Sequence, residues 1–360
     1  MKVKSRVKSR FIVGIFIAIL GGGSIAYGAE IDKTILDKKI FNVSDFYEYP
    51  LTPEDSEWLQ LTVEERVEAC RISESKLKKM SDEQLIQAII DFPFLYDVFL
   101  YSNEEDGVKA IEKISDAYAE LISRDSAKNS LIGFIDRRYT ALSTTTSAEE
   151  ELKNESLAAL IAYQDKFQDN LTLNDMKKIT SVSTMIGYKY LDEYENSNPY
   201  ATSTPKTPNG KAVPYSILKC NHSSSDFHAT LDQSVVEEYA VSLVSSGTCK
   251  YNCHSYAWHS QSTSNIYWIN DPSLYMTDGS YNKVLGGINA PSLNAIPGDK
   301  LFYGTNSNPT HTAIITSSAS GAPLGSRTVT SKWGKAGVFR HTAAAVPSSY
   351  DILNLSVWRR

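Results

Sequence analysis

Between Thr52 and Phe167 apolar residues return at intervals of three and four, the spacing that lines one face of an α-helix. In "TPEDSEWLQLTVEERVEACRI" Thr52 is placed to cap a helix, with Pro53 at its first position. Glu54 and Asp55 follow in the first turn, where carboxylates suit the positive end of the helix dipole. "MSDEQLIQAIIDFPFLYDVFLY" predicts a second helix, capped by Ser81, with Leu85, Ile86, Ile89 and Ile90 on one face and Pro93 ending or kinking it. "GVKAIEKISDAYAELISRDSAKNSLIGFIDRRYTAL" and "SAEEELKNESLAALIAYQDKFQ" add further amphipathic segments. About four or five helices should pack as a small bundle, with Cys70 among them as a buried small hydrophobe.

This periodicity is gone by Asp192, and "DEYENSNPYATSTPKTPNGKAVP" gathers the Pro, Ser, Thr, Asn and Gly of a linker or long loop. Beyond it, "SVVEEYAVSLVSSGT" predicts a helix stopping near Gly247, and "HSYAWHSQS" a second one starting beside Cys253. "DKLFYG", "HTAIITSSA", "TVTSKWG" and "LNLSVWRR" are rich in β-branched and aromatic residues and predict strands. A helix followed by consecutive strands is an α+β layout.

The first thirty residues differ from all that follow. Lys2, Lys4, Arg6, Lys8 and Arg10 precede an uncharged apolar run from Phe11 to Leu20 and then "GGGSIAYGAE", the layout of a secretory signal peptide. Cleavage is expected near residue 28 or 29, which makes residues 1–29 a leader. An uncleaved anchor is the alternative, and the triple glycine weighs against it. The expected location is therefore secreted or at the cell surface or wall, with the membrane met only during export. Without the leader the chain carries 31 basic and 42 acidic groups; residues 29–200 hold 19 and 34, residues 201–360 hold 12 and 8. An acidic half followed by a mildly basic one suggests an acidic helical domain (30–191), a linker (192–214) and a second domain (215–360). Nucleic acid does not suit the acidic half, and no polybasic helix or Arg-aromatic patch is present elsewhere.

Four cysteines, Cys70, Cys220, Cys249 and Cys253, permit disulfides in an exported chain. In "YNCHSYAWHSQ" Cys253 stands at the start of a helical stretch, where unpaired backbone N–H groups favour a thiolate. Cys249 lies in the approach loop and can pair with Cys220 without disturbing Cys253. A thiol nucleophile needs a base from another element. His254 is adjacent and His259 lies further down the same helix, whereas His311 opens a strand and can face the helix start. The Cys253 N–H is the first oxyanion donor expected, with Asn252 or Tyr251 as a second. Trp333 is a candidate substrate wall, with core packing as the alternative. Cys220, His222, His228, Cys249 and Cys253 can be written as a ligand set. C-x-H-x5-H matches no common zinc spacing, however, and exported thiols oxidise, so no metal is expected. No Gly-rich nucleotide loop is present, and no cofactor is expected.

A Cys heading a helix, the turn "PGD" (Pro297 to Asp299) leading into a hydrophobic strand, and a His opening the next strand together resemble a known family. Over roughly Lys219 to Arg360 the chain is similar to the papain-like cysteine hydrolases of the NlpC/P60 and CHAP group. The resemblance implies an antiparallel sheet packed on the helix that carries the thiolate, and amide cleavage through an acyl-enzyme, typically in cell-wall peptides. It makes Cys253 the nucleophile, His311 the base and Asp299 the structural acid of the turn. The third member is open between Ser331, His341 and a backbone carbonyl. Asn252-Cys253-His254-Ser255 in place of Asp-Cys-Ser-Gly, and about forty-five residues before "PGD", mark an outlying branch. The expectation is an N-terminal helical bundle followed by a papain-like domain, acting as a peptidase or amidase on peptidoglycan stem peptides. A thiol protease acting on proteins, and a non-enzymatic secreted or surface binding protein with Cys253 in a structural disulfide, are the alternatives.

Overall fold

The computed structural model describes residues 46–141, 147–183, 204–218, 222, 224–318 and 320–360. The expected leader (1–29) lies outside the described residues, as does the expected linker up to residue 203. Among the described residues no helix is long and apolar enough to cross a membrane.

The first half holds α1 (Val63–Ala69), α2 (Asp82–Ile90), α3 (Glu104–Ile114), α4 (Asp116–Ser123), α5 (Ala127–Ala141), α6 (Ala148–Ala162) and α7 (Leu173–Val182). Several begin where the sequence supplies a side-chain acceptor for the orphan N–H groups of the first turn. Ser81 and Gln84 form a capping box on α2, and Asn103, Ser115 and Ser147 each accept an N–H from three residues on. The first helix departs from expectation, starting at Val63 rather than after Thr52. Thr62 and Glu65 make the capping box there, while the Asp55 carboxylate folds back onto the Thr52 N–H and hydroxyl (2.9 and 3.0 Å). Cys70 is a free, buried thiol, as expected, and burial pushes it up to about 12.

Helix α8 (Phe227–Tyr239) ends at Ala240, whose φ of 54° is left-handed. The helix expected to run on toward Gly247 is therefore broken, and Ser242–Ser245 becomes strand β1. The other strands are β2 (Asn282–Gly286), β3 (Lys300–Thr305), β4 (Asn308–Ile315), β5 (Thr328–Lys332), β6 (Val338–Thr342) and β7 (Ser356–Arg359). They form one antiparallel sheet in the order β1-β6-β5-β4-β3-β7-β2, so the fold is α+β.

Register and the alternation of side chains give the sheet two faces. Phe302, Thr312, Ile314, Lys332 and Val338 share one; Tyr303, His311, Ala313, Ile315, Ser331 and His341 share the other. The first face meets Tyr251, Trp258, Ile269 and Tyr275 around Phe302 and Ile314. The second is covered by the helical half: Leu301, Tyr303, Ala313 and Ile315 belong to the same hydrophobic core as Trp58, Phe94, Phe99 and Leu121. The two halves thus share a core rather than meeting only through a linker. Polar bonds tie them as well. The Tyr350 hydroxyl donates to the Leu100 carbonyl (2.6 Å), Lys335 N–H to the Phe99 carbonyl (2.8 Å), and the Tyr239 hydroxyl to the Asp97 carboxylate (2.6 Å). At Gly334 (φ 43°) a Cβ would stand 2.1 Å from the Phe99 oxygen, so only glycine allows this approach.

Candidate active site

Cys253 and His254 are helical residues leading into a π-helical turn at Ser255–His259. Asn252 fixes the start of that turn. Its Oδ1 accepts the N–H of Ser255 (3.1 Å) and of Ile269 (3.3 Å), and its Nδ2 donates to the Ile269 carbonyl (2.7 Å) and the Ser102 hydroxyl (3.2 Å). Both amide hydrogens are engaged in the closed site, so Asn252 acts here as a cap rather than as an oxyanion donor.

The turn rests on β4 and β5. Those strands pair only at Ile314 with Thr330 and Ile315 with Val329, and beyond them they part. The Cys253 thiol lies at this fork, where the backbone N–H groups of Thr312 and His254 favour its anion and the Ser102 hydroxyl is 3.8 Å away. On the same face, Thr312 Oγ1 meets His254 Nδ1 at 2.8 Å and accepts the Trp258 indole N–H at 3.1 Å, which anchors the turn to the sheet.

His311 precedes Thr312 and so faces the other side of the sheet. It lies fourth in β4, paired with Tyr303 in register, rather than at the strand's start. Its ring stacks on Tyr350 (centroids 4.2 Å apart, 19° between planes), and among the described residues neither ring nitrogen has a hydrogen-bond partner. Burial, with His341 and His254 nearby, holds its pKa well below the usual 6.5, so the imidazole is neutral. Burial also pushes the Cys253 thiol up to about 11. Both groups are thus neutral, and they stand on opposite sides of β4: the Cys253 turn packs on the Thr312 face and His311 lies on the other, with no hydrogen bond between them.

Ser331 does not reach the expected base. Its hydroxyl lies 2.7 Å from His341 Nε2 and accepts the Trp333 indole N–H at 2.8 Å, so it orients His341 instead. Trp333 is fully buried among Tyr239, Phe339 and Tyr350; it is core, not a substrate wall. Tyr251 is buried and stacked on Tyr256. Asp299 follows Gly298 (φ 94°), accepts the Ile296 N–H (2.9 Å) and pairs with Arg359 (2.7 Å), a structural role. Cys253 is a free thiol and Cys249 is disulfide-bonded, while Cys220, its expected partner, lies outside the described residues.

Lys332 carries no motif that marks it, yet its ammonium is fully buried beside the thiol's field. It donates to the carbonyls of Thr248 (3.0 Å) and Gly334 (2.5 Å). Burial lowers its pKa to about 7, against the pull of Asp232 and Cys253. The segment Phe99–Asn103 closes the site from the helical half, with the Ser102 carbonyl accepting the Trp268 indole N–H at 2.7 Å. Comparison with known proteins gives no match, whether to a family model, a curated protein or a solved structure.

Proposed function

We propose that the chain is an exported cysteine hydrolase with a papain-like arrangement of thiol and base, cleaving amide bonds in peptidoglycan stem peptides. The observation that carries this reading is His311, a buried imidazole whose two nitrogens have no partner among the described residues, next in sequence to Thr312, whose N–H favours the anion of the free Cys253 thiol. Leaving a buried polar atom unpaired costs about 1–3 kcal/mol, which a purely structural histidine avoids by finding a partner. In the reaction the Cys253 sulfur attacks the amide carbon while its proton passes to His311. The C–N bond breaks and that proton leaves with the amine; His311 then takes a proton from water, whose oxygen displaces the sulfur from the acyl carbon. The backbone N–H at Cys253 supports the transient oxyanion.

An open depression of about 620 Å³ lined by Phe302, Gly304, Ser356 and Trp358 is the place proposed for substrate. Phe302 pairs directly with Thr312, although the lining of the depression includes neither Cys253 nor His311. Ser102 and its neighbours must swing aside for substrate to enter, so the closed form with its neutral thiol is a resting state. The mild positive balance of residues 201–360 suits an anionic wall polymer. A free Cys253 favours this reading over a binding protein with that cysteine in a disulfide. The experiment offers the full chain purified stem peptides and, separately, an unfolded protein, and follows new amino groups. Release from the stem peptides, abolished in Cys253→Ala and in His311→Ala, is expected. Release from the unfolded protein alone makes the chain a protease, and turnover that survives either substitution overturns the mechanism.

A further inference from the structure

We infer that His222, His228 and Cys249 form a zinc-class metal site that opens when the Cys249 disulfide is reduced. This stands apart from the hydrolase reading and shares no residue with it. The three side chains come from a loop, the first turn of α8 and the loop after β1, and their ligand atoms all lie within 4.8 Å of one another. Tetrahedral zinc with Zn–N of roughly 2.1 Å and Zn–S of roughly 2.3 Å sets each nitrogen about 3.6 Å from the sulfur. Cys249 Sγ is 3.4 Å from His222 Nε2 and 3.9 Å from His228 Nε2, on either side of that value.

The surroundings hold both rings in place. His222 stacks on Phe227 at 3.7 Å with 4° between the planes, and the two imidazoles meet edge to face. The Lys335 carbonyl, the Asp232 carboxylate and His228 Nδ1 converge on Gly247. Two imidazoles and one thiolate are the donor set of Zn²⁺ and of Co²⁺ in its place, with a fourth position left over.

As a disulfide sulfur, Cys249 is a poor ligand. A dithiol reductant delivers two electrons and two protons to the S–S bond, giving two thiols and becoming a disulfide itself. The Cys249 thiol then loses its proton to solvent as its sulfur binds the metal. The segment would be held by a covalent bond under oxidising conditions and by a metal under reducing ones.

The test titrates Co²⁺ into the full chain, oxidised and after reduction with a dithiol removed under argon. The reduced chain should bind one Co²⁺ with tetrahedral d–d bands and a thiolate-to-metal charge-transfer band, and the oxidised chain should show no such band. Cys249→Ser should lose the band, and His222→Ala or His228→Gln should weaken binding at least tenfold. His222 lies outside the helices, so its variant stays informative if the change in α8 disturbs folding. A reduced chain without the thiolate band, a band that persists in Cys249→Ser, or affinity unchanged in both histidine variants overturns the proposal.

Discussion

Asp97 and Glu238 build a pH dependence into the seam between the halves, and one substitution should remove the Asp97 share of it. Both carboxyls are fully buried; Asp97 accepts the Tyr239 hydroxyl through one oxygen, while its other oxygen and Glu238 Oε2 have no partner among the described residues. Burial raises the Asp97 carboxyl from 3.8 to about 7, and burial together with the Asp97 charge holds Glu238 well above its usual range. The folded pKa of Asp97 exceeds its unfolded value, so the folded chain holds the extra proton between about pH 4 and pH 7. The associated stability is present at low pH and is lost as pH rises through that window. From 3.8 to about 7, at about 1.4 kcal/mol per pKa unit, the loss is roughly 4 kcal/mol. Asp97→Asn cannot ionise and escapes it. Urea unfolding followed by circular dichroism at steps from pH 4 to pH 8 should show the variant gaining roughly 4 kcal/mol on the wild type across the range. A difference between the two proteins that is the same at both ends would refute the reasoning.

Three further outcomes are expected. Gly334→Ala meets both a positive φ and the Phe99 oxygen, and should lower unfolding free energy by at least about 2 kcal/mol in the same assay; an unchanged urea midpoint would remove the close approach from the account. Asn252→Ala strips the cap from the Cys253 turn and leaves the Ile269 N–H and carbonyl without their partner. About 2–4 kcal/mol should be lost, and a loss under half of one kcal/mol contradicts the hydrogen bonds assigned to it. Ser102→Gly should speed iodoacetamide labelling of Cys253 several-fold while leaving Cys70 unchanged, as read by peptide mass spectrometry. In the wild type that labelling should keep rising with pH toward about 11 instead of levelling near pH 8, because the buried thiol ionises late.

The parts of the fold legible in the sequence are those whose signals are local. Ser81 and Ser147 cap helices because a hydroxyl three residues ahead of an N–H suffices, and β3, β4, β5 and β7 lie on runs of β-branched and aromatic residues. Strands β1 and β2 were harder to see because they are the sheet's edges. Their residues are exposed or half-buried, so no apolar alternation marks them. Thr52 failed as a cap because Asp55 competes for the same backbone. In the site, Cys253 at a helix start and the Asp299 turn could be read from neighbouring residues. The hydrogen bonds of Ser331 could not, since its partner depends on which face of β6 carries His341. His222, His228 and Cys249 fall within the ligand set written from the sequence and are set aside there because C-x-H-x5-H matches no common zinc spacing; the loop after β1 supplies the sulfur from outside that stretch.

The shared core also sets a timetable for the chain's own synthesis. Leu100 leaves the ribosome 250 residues before Tyr350, the side chain that closes over its carbonyl. At roughly 5–20 residues per second the helices wait on the order of ten to fifty seconds for the sheet that covers them. Through that interval the apolar surface that will meet Leu301, Tyr303 and Ile315 stands open to water. Severing the chain near Pro214 would make that exposure permanent for both pieces, so neither half is expected to stay soluble when produced without the other.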